Sequence, residues 1–140
     1  MPKQTRKSVL KQFLGERVAF ELVQSELNGI YQEMDKLCKR APSELITKLQ
    51  LKVVNSVIGK VKQLLSGDLI IEEVSIFVAA GDNPEYRDVL TILRQLLQGM
   101  DRCKEGPWRY LWDSAFKDEL EEHDIDEADV IPFFQKNVND

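Results

Sequence analysis

The stretch that decides the fold is Phe20 to Leu37, FELVQSELNGIYQEMDKL. Its large apolar residues Phe20, Val23, Leu27, Ile30, Met34 and Leu37 are separated by alternating gaps of three and four. A helix turns about 100° per residue, so this spacing gathers them into one stripe, the pattern of a helix laid along a partner helix. The segment extends back to about Ser8 and forward to Arg40. Glu16, beside Gly15, interrupts the stripe one turn before Phe20, where a weak start or a bend is expected. Gly29 sits mid-helix at a cost of about 1 kcal/mol relative to alanine and would be explained by close packing. Ala41-Pro42 ends the segment, because the residue before a proline avoids helical geometry.

The rest of the chain reads outward from that helix. From Ser43, a candidate N-cap, to Ser66, the residues Leu51, Val53, Val54, Val57, Ile58, Val61, Leu64 and Leu65 share one broad apolar face. Lys48, Lys52, Asn55 and Lys62 fall opposite, and Gly67 suits a C-terminal cap. Residues 68–80 hold Ile70, Ile71, Val74, Phe77 and Val78 at helical spacing, yet VSIFVAA is rich in strand formers; helix is favoured because no second strand stands ready to pair. Asn83, Pro84 and Glu85 mark a helix start. That helix carries Tyr86, Leu90, Leu93, Leu97 and Met100 and runs to about Arg102. After Gly106-Pro107, the residues Trp108, Leu111, Trp112, Ala115 and Phe116 form an aromatic amphipathic stripe. The expected architecture is all-α: an antiparallel bundle of about four main helices, a short third helix and an acidic, aromatic C-terminal element. Residues 1–140 read as one helical domain, with 1–8 a disordered basic arm and 124–140 a mobile acidic tail.

Composition narrows the function classes. Hydrophobic residues are 43% and charged residues 31% of 140, ordinary for a globular protein and too apolar for disorder. No apolar run reaches the roughly 18 residues of a membrane span, and the basic start MPKQTRKSVLKQF lacks the apolar block of a secretory signal. Cys38 and Cys103 match no metal spacing and form no disulfide framework, which suits a reduced, cytoplasmic protein. Charge is split: residues 1–65 carry nine lysines and three arginines against six acids, and residues 66–140 carry eighteen acids against seven bases.

Candidate chemistries follow from residue type and spacing. His123 is the only histidine; it lies in the run ELEEHD, so it reads as a solvated helix end rather than a catalytic base. Glu119 and His123 share a helical face, with Glu122 and Asp126 nearby, but no facing cluster completes a metal site. Glu85 and Asp88 have ExxD spacing with Glu72-Glu73 upstream. This partly resembles the magnesium-holding carboxylates of all-helical nucleotide pyrophosphatases, though a third glutamate of that pattern would fall at position 76, which is Ile. No glycine-rich phosphate loop is present. Expected cofactors and metals are none. Two binding readings remain ahead of the metal-dependent nucleotide hydrolase. The preferred one is a non-enzymatic adaptor, scaffold or regulatory module, acting on a protein partner or a second copy through Trp108, Tyr110, Trp112 and Phe116. The alternative is a nucleic-acid-associated protein using the basic arm Lys3, Arg6, Lys7 and Lys11 and the basic face Lys48, Lys52 and Lys62. An overall pI near 5.0 weighs against it.

Overall fold

The computed structural model describes residues 5–68, 71, 74 and 83–130. The described residues form four α-helices and no strand: α1 (Arg6–Arg40), α2 (Lys48–Leu64), α3 (Tyr86–Glu105) and α4 (Ser114–Glu122). Short 3-10 turns occupy Arg109–Trp112 and Glu127–Asp129. The helix-or-strand question over 68–80 falls almost entirely outside the described residues, as do Glu72, Glu73, Lys3, Phe133 and Phe134. The chain divides into two compact units, Met1–Leu22 with Lys104–Asp140, and Val23–Cys103. The helix α1 is continuous from one into the other.

In the Val23–Cys103 unit, helix directions follow from cross-links. Gln24 donates to Asp101 at 3.3 Å and Arg94 to the Tyr31 hydroxyl at 3.4 Å, so α1 and α3 are antiparallel. Lys60 pairs with Glu26 at 3.1 Å, matching the hairpin from α1 into α2. The Tyr86 hydroxyl donates to Gln50 near the starts of α3 and α2, and Arg102 binds Asp68 near their ends. Helices α2 and α3 therefore run in the same direction, which requires the return connection between them. Buried aliphatic residues fill this unit: Val23, Leu27 and Met34 from α1, Leu51, Val54, Val57, Ile58 and Val61 from α2, and Val89, Leu93, Leu96 and Met100 from α3.

Several local expectations are corrected here. The second helix starts at Lys48, not at Ser43, because residues 42–46 bond elsewhere. Ile46 N–H donates to Pro84 O at 2.9 Å and Tyr86 N–H to Glu44 O at 3.0 Å, flanking an isolated antiparallel bridge between Leu45 and Glu85. Thr47 then caps α2 with a reciprocal box to Gln50. Asn83 does not cap α3; its side chain donates to Ile46 O at 2.8 Å. The C-cap of α2 is Leu65 rather than Gly67. Val53 and Leu64 are not buried with the rest of the α2 face, since only a narrower arc of the helix meets the core. The helix α1 passes through Gly15 and Glu16 without a break. A Cβ on Gly29 would meet nothing within 4 Å, so no close packing explains that glycine.

The other unit has a smaller core. Leu10, Leu14, Phe116, Leu120 and Ile125 are buried together, with Phe13, Val18 and Val130 against them. The aromatic stretch is not one helix: Asp113 ends the 3-10 turn and accepts the Ala115 N–H, starting α4 anew. At the far end of α4, Asp124 adopts φ 55°. Its N–H donates to Glu121 O at 3.1 Å, and Ile125 N–H to Leu120 O at 2.9 Å. These are the two bonds of a Schellman motif, and Leu120 and Ile125 supply its hydrophobic contact.

Candidate functional site

The C-terminal aromatics are largely engaged within their own unit. Phe116 is buried. Trp108 and Trp112 are half-buried against the Phe20 ring, at centroid distances of 5.4 and 5.1 Å. Trp112 Nε1 donates to Glu21 at 3.2 Å, and Lys104 Nζ lies 4.8 Å from its ring centroid. Tyr110 is the exposed member. Its ring meets Phe13 edge-on at 5.4 Å, and its hydroxyl donates to Glu16 at 3.1 Å. Burial, then the Glu16 charge, raises the phenol above its ordinary value.

The split charge of the sequence is partly paired inside this unit. Arg6 binds Glu119 through its guanidinium. Arg17 lies over the Phe116 ring, donates to Leu111 O at 3.4 Å and approaches Glu127 at 3.6 Å. Its Nε is a buried donor left without a hydrogen-bond partner among the described residues. The basic face on α2 is also divided. Lys62 is half-buried and donates to Val74 O, and Lys60 is tied to Glu26. Lys48 and Lys52 are exposed, and their side chains make no ion pair or hydrogen bond among the described residues.

Among the described residues, the chemical candidates do not assemble. Glu119 is taken by Arg6, and His123 is the C-cap of α4. Glu85 sits in the bridge to Leu45 and pairs with Arg87. Among the described residues, no group of three or more His, Cys, Asp or Glu is placed to hold a metal ion. Both cysteines are free. Cys103 is buried, and its Sγ lies 3.5 Å from Asp68 Oδ2; burial and that neighbour push the thiol up to about 11, so it stays protonated at neutral pH and is a poor nucleophile. At Asp68, burial raises the carboxyl, but hydrogen bonds from the Ile71 N–H, Arg102 and Cys103 outweigh it. The carboxyl therefore titrates below its ordinary value.

One surface feature is not evident from the periodicity alone. Leu49 and Val53, one turn apart at the start of α2, are 74% and 44% exposed, and Leu45, in the bridge just before the helix, is 49% exposed. They stand beside Lys48 and Lys52. Leu45 is fixed by the backbone bonds at Glu44 and Ile46, and the α2 start by the Thr47–Gln50 box, with Tyr86 also donating to Gln50. The stripe is thus presented on a pinned platform. The available signal was the four-residue repeat itself, set against the direction of Leu51, Val54, Ile58 and Val61. No helix among the described residues is long and apolar enough to cross a membrane. The chain matches no family model, no curated protein and no solved structure.

Proposed function

We propose that this protein is a non-enzymatic interaction module, a small adaptor, scaffold or regulatory protein that acts by binding another protein. The observation that carries this reading is the exposed Leu45, Leu49 and Val53 stripe on a rigid helix start. Large exposed apolar side chains lose water favourably when a partner covers them. Tyr110, with the outer edges of Trp108 and Trp112, offers a second contact of the residue types that dominate interface energies. Two free thiols fit action in the cytoplasm.

Mass measurement in solution, with and without cell lysate, tests the reading. Wild type should shift in mass by self-association or by capture, and Leu49→Glu should lose that shift while retaining its helical circular dichroism. An unchanged shift in Leu49→Glu and in Tyr110→Ala removes both surfaces from consideration. A second reading, nucleic-acid association, is favoured by Lys48 and Lys52, exposed on a helix that contains no acidic residue. It requires retention on DNA or RNA that falls steeply with salt.

A further inference from the structure

We infer that the Leu49 and Val53 face of α2, together with the preceding Leu45, docks an amphipathic partner helix whose apolar edge is bordered by carboxylates. The inference rests on the interaction-module reading and adds the chemistry of the partner. Three observations lead to it. The first is shape. Leu49 and Val53 form a four-residue ridge on α2, and ridges at this spacing are those most often used when helices pack. Leu45 is also exposed, in the loop just before the helix, and that loop is held by backbone bonds on both sides, so little order is lost on docking.

The second observation is charge placed against local preference. The helix α2 has no acid in its first turn and begins with Lys48. A cation there opposes the positive end of the helix dipole, and Lys52 repels Lys48 from one turn away. The other two lysines of the helix have intramolecular roles, on Glu26 and on Val74 O. Lys48 and Lys52 have none among the described residues, so their cost to the free chain is left uncompensated. Carboxylates on a docked partner would meet both ammonium groups and the helix N-terminus together.

The third observation sets aside α4 and α2 of a second copy as the occupant. The acidic helix α4 exposes Ala115, Asp118, Glu121 and Glu122, while its large apolar residues Phe116 and Leu120 are buried. It supplies charge but no apolar edge to cover Leu49. An antiparallel α2–α2 pair would set Lys48 and Lys52 of one copy against those of the other. A separate acidic amphipathic helix satisfies both halves of the surface.

A displayed library tests this on the full chain. Peptides of about 20 residues, long enough to be helical, carry leucine along one face, with the bordering positions randomised over Glu, Gln and Lys. Selection should enrich Glu at those borders. Binding of the enriched peptides should fall roughly tenfold or more for Leu49→Glu and for the double variant Lys48→Glu/Lys52→Glu, as expected when complementary charges or a central anchor are removed. Peptides with Lys at the borders should regain binding to the double variant. These positions are exposed, and circular dichroism confirms that the variants fold. Enriched peptides that need Leu49 but show no charge preference overturn the acidic partner and leave the interaction surface intact. Peptides indifferent to both variants, or no enrichment, overturn the surface as well. Duplex DNA that binds through Lys48 and Lys52 without needing Leu49 overturns the inference in favour of a polyanion.

Discussion

The two units of this chain bury their apolar surface by different means. Residues 23–103 use aliphatic side chains from three long helical segments, with polar cross-links such as Tyr86–Gln50 and Arg102–Asp68 near the helix ends. Residues 5–22 and 104–130 use a handful of aliphatic residues, then aromatic rings packed edge-on or tilted against Phe13 and Phe20, then the Arg17 guanidinium over Phe116 and the Lys104 ammonium over Trp112. Aliphatic packing involves no titrating group and is therefore insensitive to pH. Ring-and-charge packing depends on partners that must all be present, and Arg17 Nε, 3.9 Å from Glu21 but without a hydrogen bond, shows that the hydrogen bonding is incomplete among the described residues. The difference teaches that one unit draws stability from volume filled and the other from a network.

Core truncation should show the largest effects and tests whether the units are separable. Ile58→Ala, in the aliphatic core, should cost about 2–5 kcal/mol, and Phe20→Ala, beneath both tryptophans, about 3–5 kcal/mol. Both tryptophans of the chain, Trp108 and Trp112, lie in the aromatic unit. Denaturation followed by tryptophan fluorescence and by circular dichroism should therefore separate for Phe20→Ala, the fluorescence midpoint falling further. Coincident midpoints would mean that the two units unfold as one.

Next in size is Asp68. Its folded carboxyl titrates below the unfolded value, so its contribution is present in full above about pH 4 and is lost as the pH falls through the folded value. Asp68→Asn should cost about 1–2 kcal/mol at neutral pH and flatten the acid limb of the stability profile. An unchanged limb would place the acid sensitivity elsewhere.

Glycine and left-handed positions give smaller effects of opposite sign. Gly29→Ala should stabilise by about 1 kcal/mol, since the site is open and helical. Gly99→Ala should not: its Cβ would come within 2.8 Å of Ile71 Cδ1 and 2.9 Å of Cγ1, so the buried Ile71 must shift. Asp124→Gly should stabilise the α4 end by about 0.5–1 kcal/mol, because glycine adopts positive φ without penalty. Thermal midpoints rank all three. The smallest expected change is Lys48→Glu/Lys52→Glu, a gain of a few tenths of a kcal/mol from the dipole in the free chain.

Much of the helical layout was legible. The 3-4 spacing of α1 and α3 survives in the structure because a long amphipathic helix needs only its own periodicity to be recognised. The start of α2 was not legible, because Ser43 and Thr47 are both good caps. The choice is made by Pro84, Glu85 and Tyr86, some forty residues away, bonding to the loop between them. The aromatic segment looked like one helix because Trp108, Trp112 and Phe116 have helical spacing; the break at Asp113 comes from its capping preference. Val53 read as core because the apolar arc of α2 is wider than the arc the core can cover. Arg6 and Glu119 looked like opposite charge blocks because pairing across more than a hundred positions leaves no local trace.

The continuity of α1 has a consequence for how the chain is made. Residues 23–103 form a contiguous block, so everything that unit requires has emerged once Cys103 is synthesised. The first turns of α1 must wait longer, because Leu10, Leu14 and Phe20 are covered with the help of Trp108, Phe116, Leu120 and Ile125. During elongation the leading end of that helix holds an uncovered greasy strip, a natural client for holding chaperones. A chain stalled or cut near Gly106 would leave that strip permanently bare, so truncation there should be felt first as aggregation and turnover rather than as loss of helix.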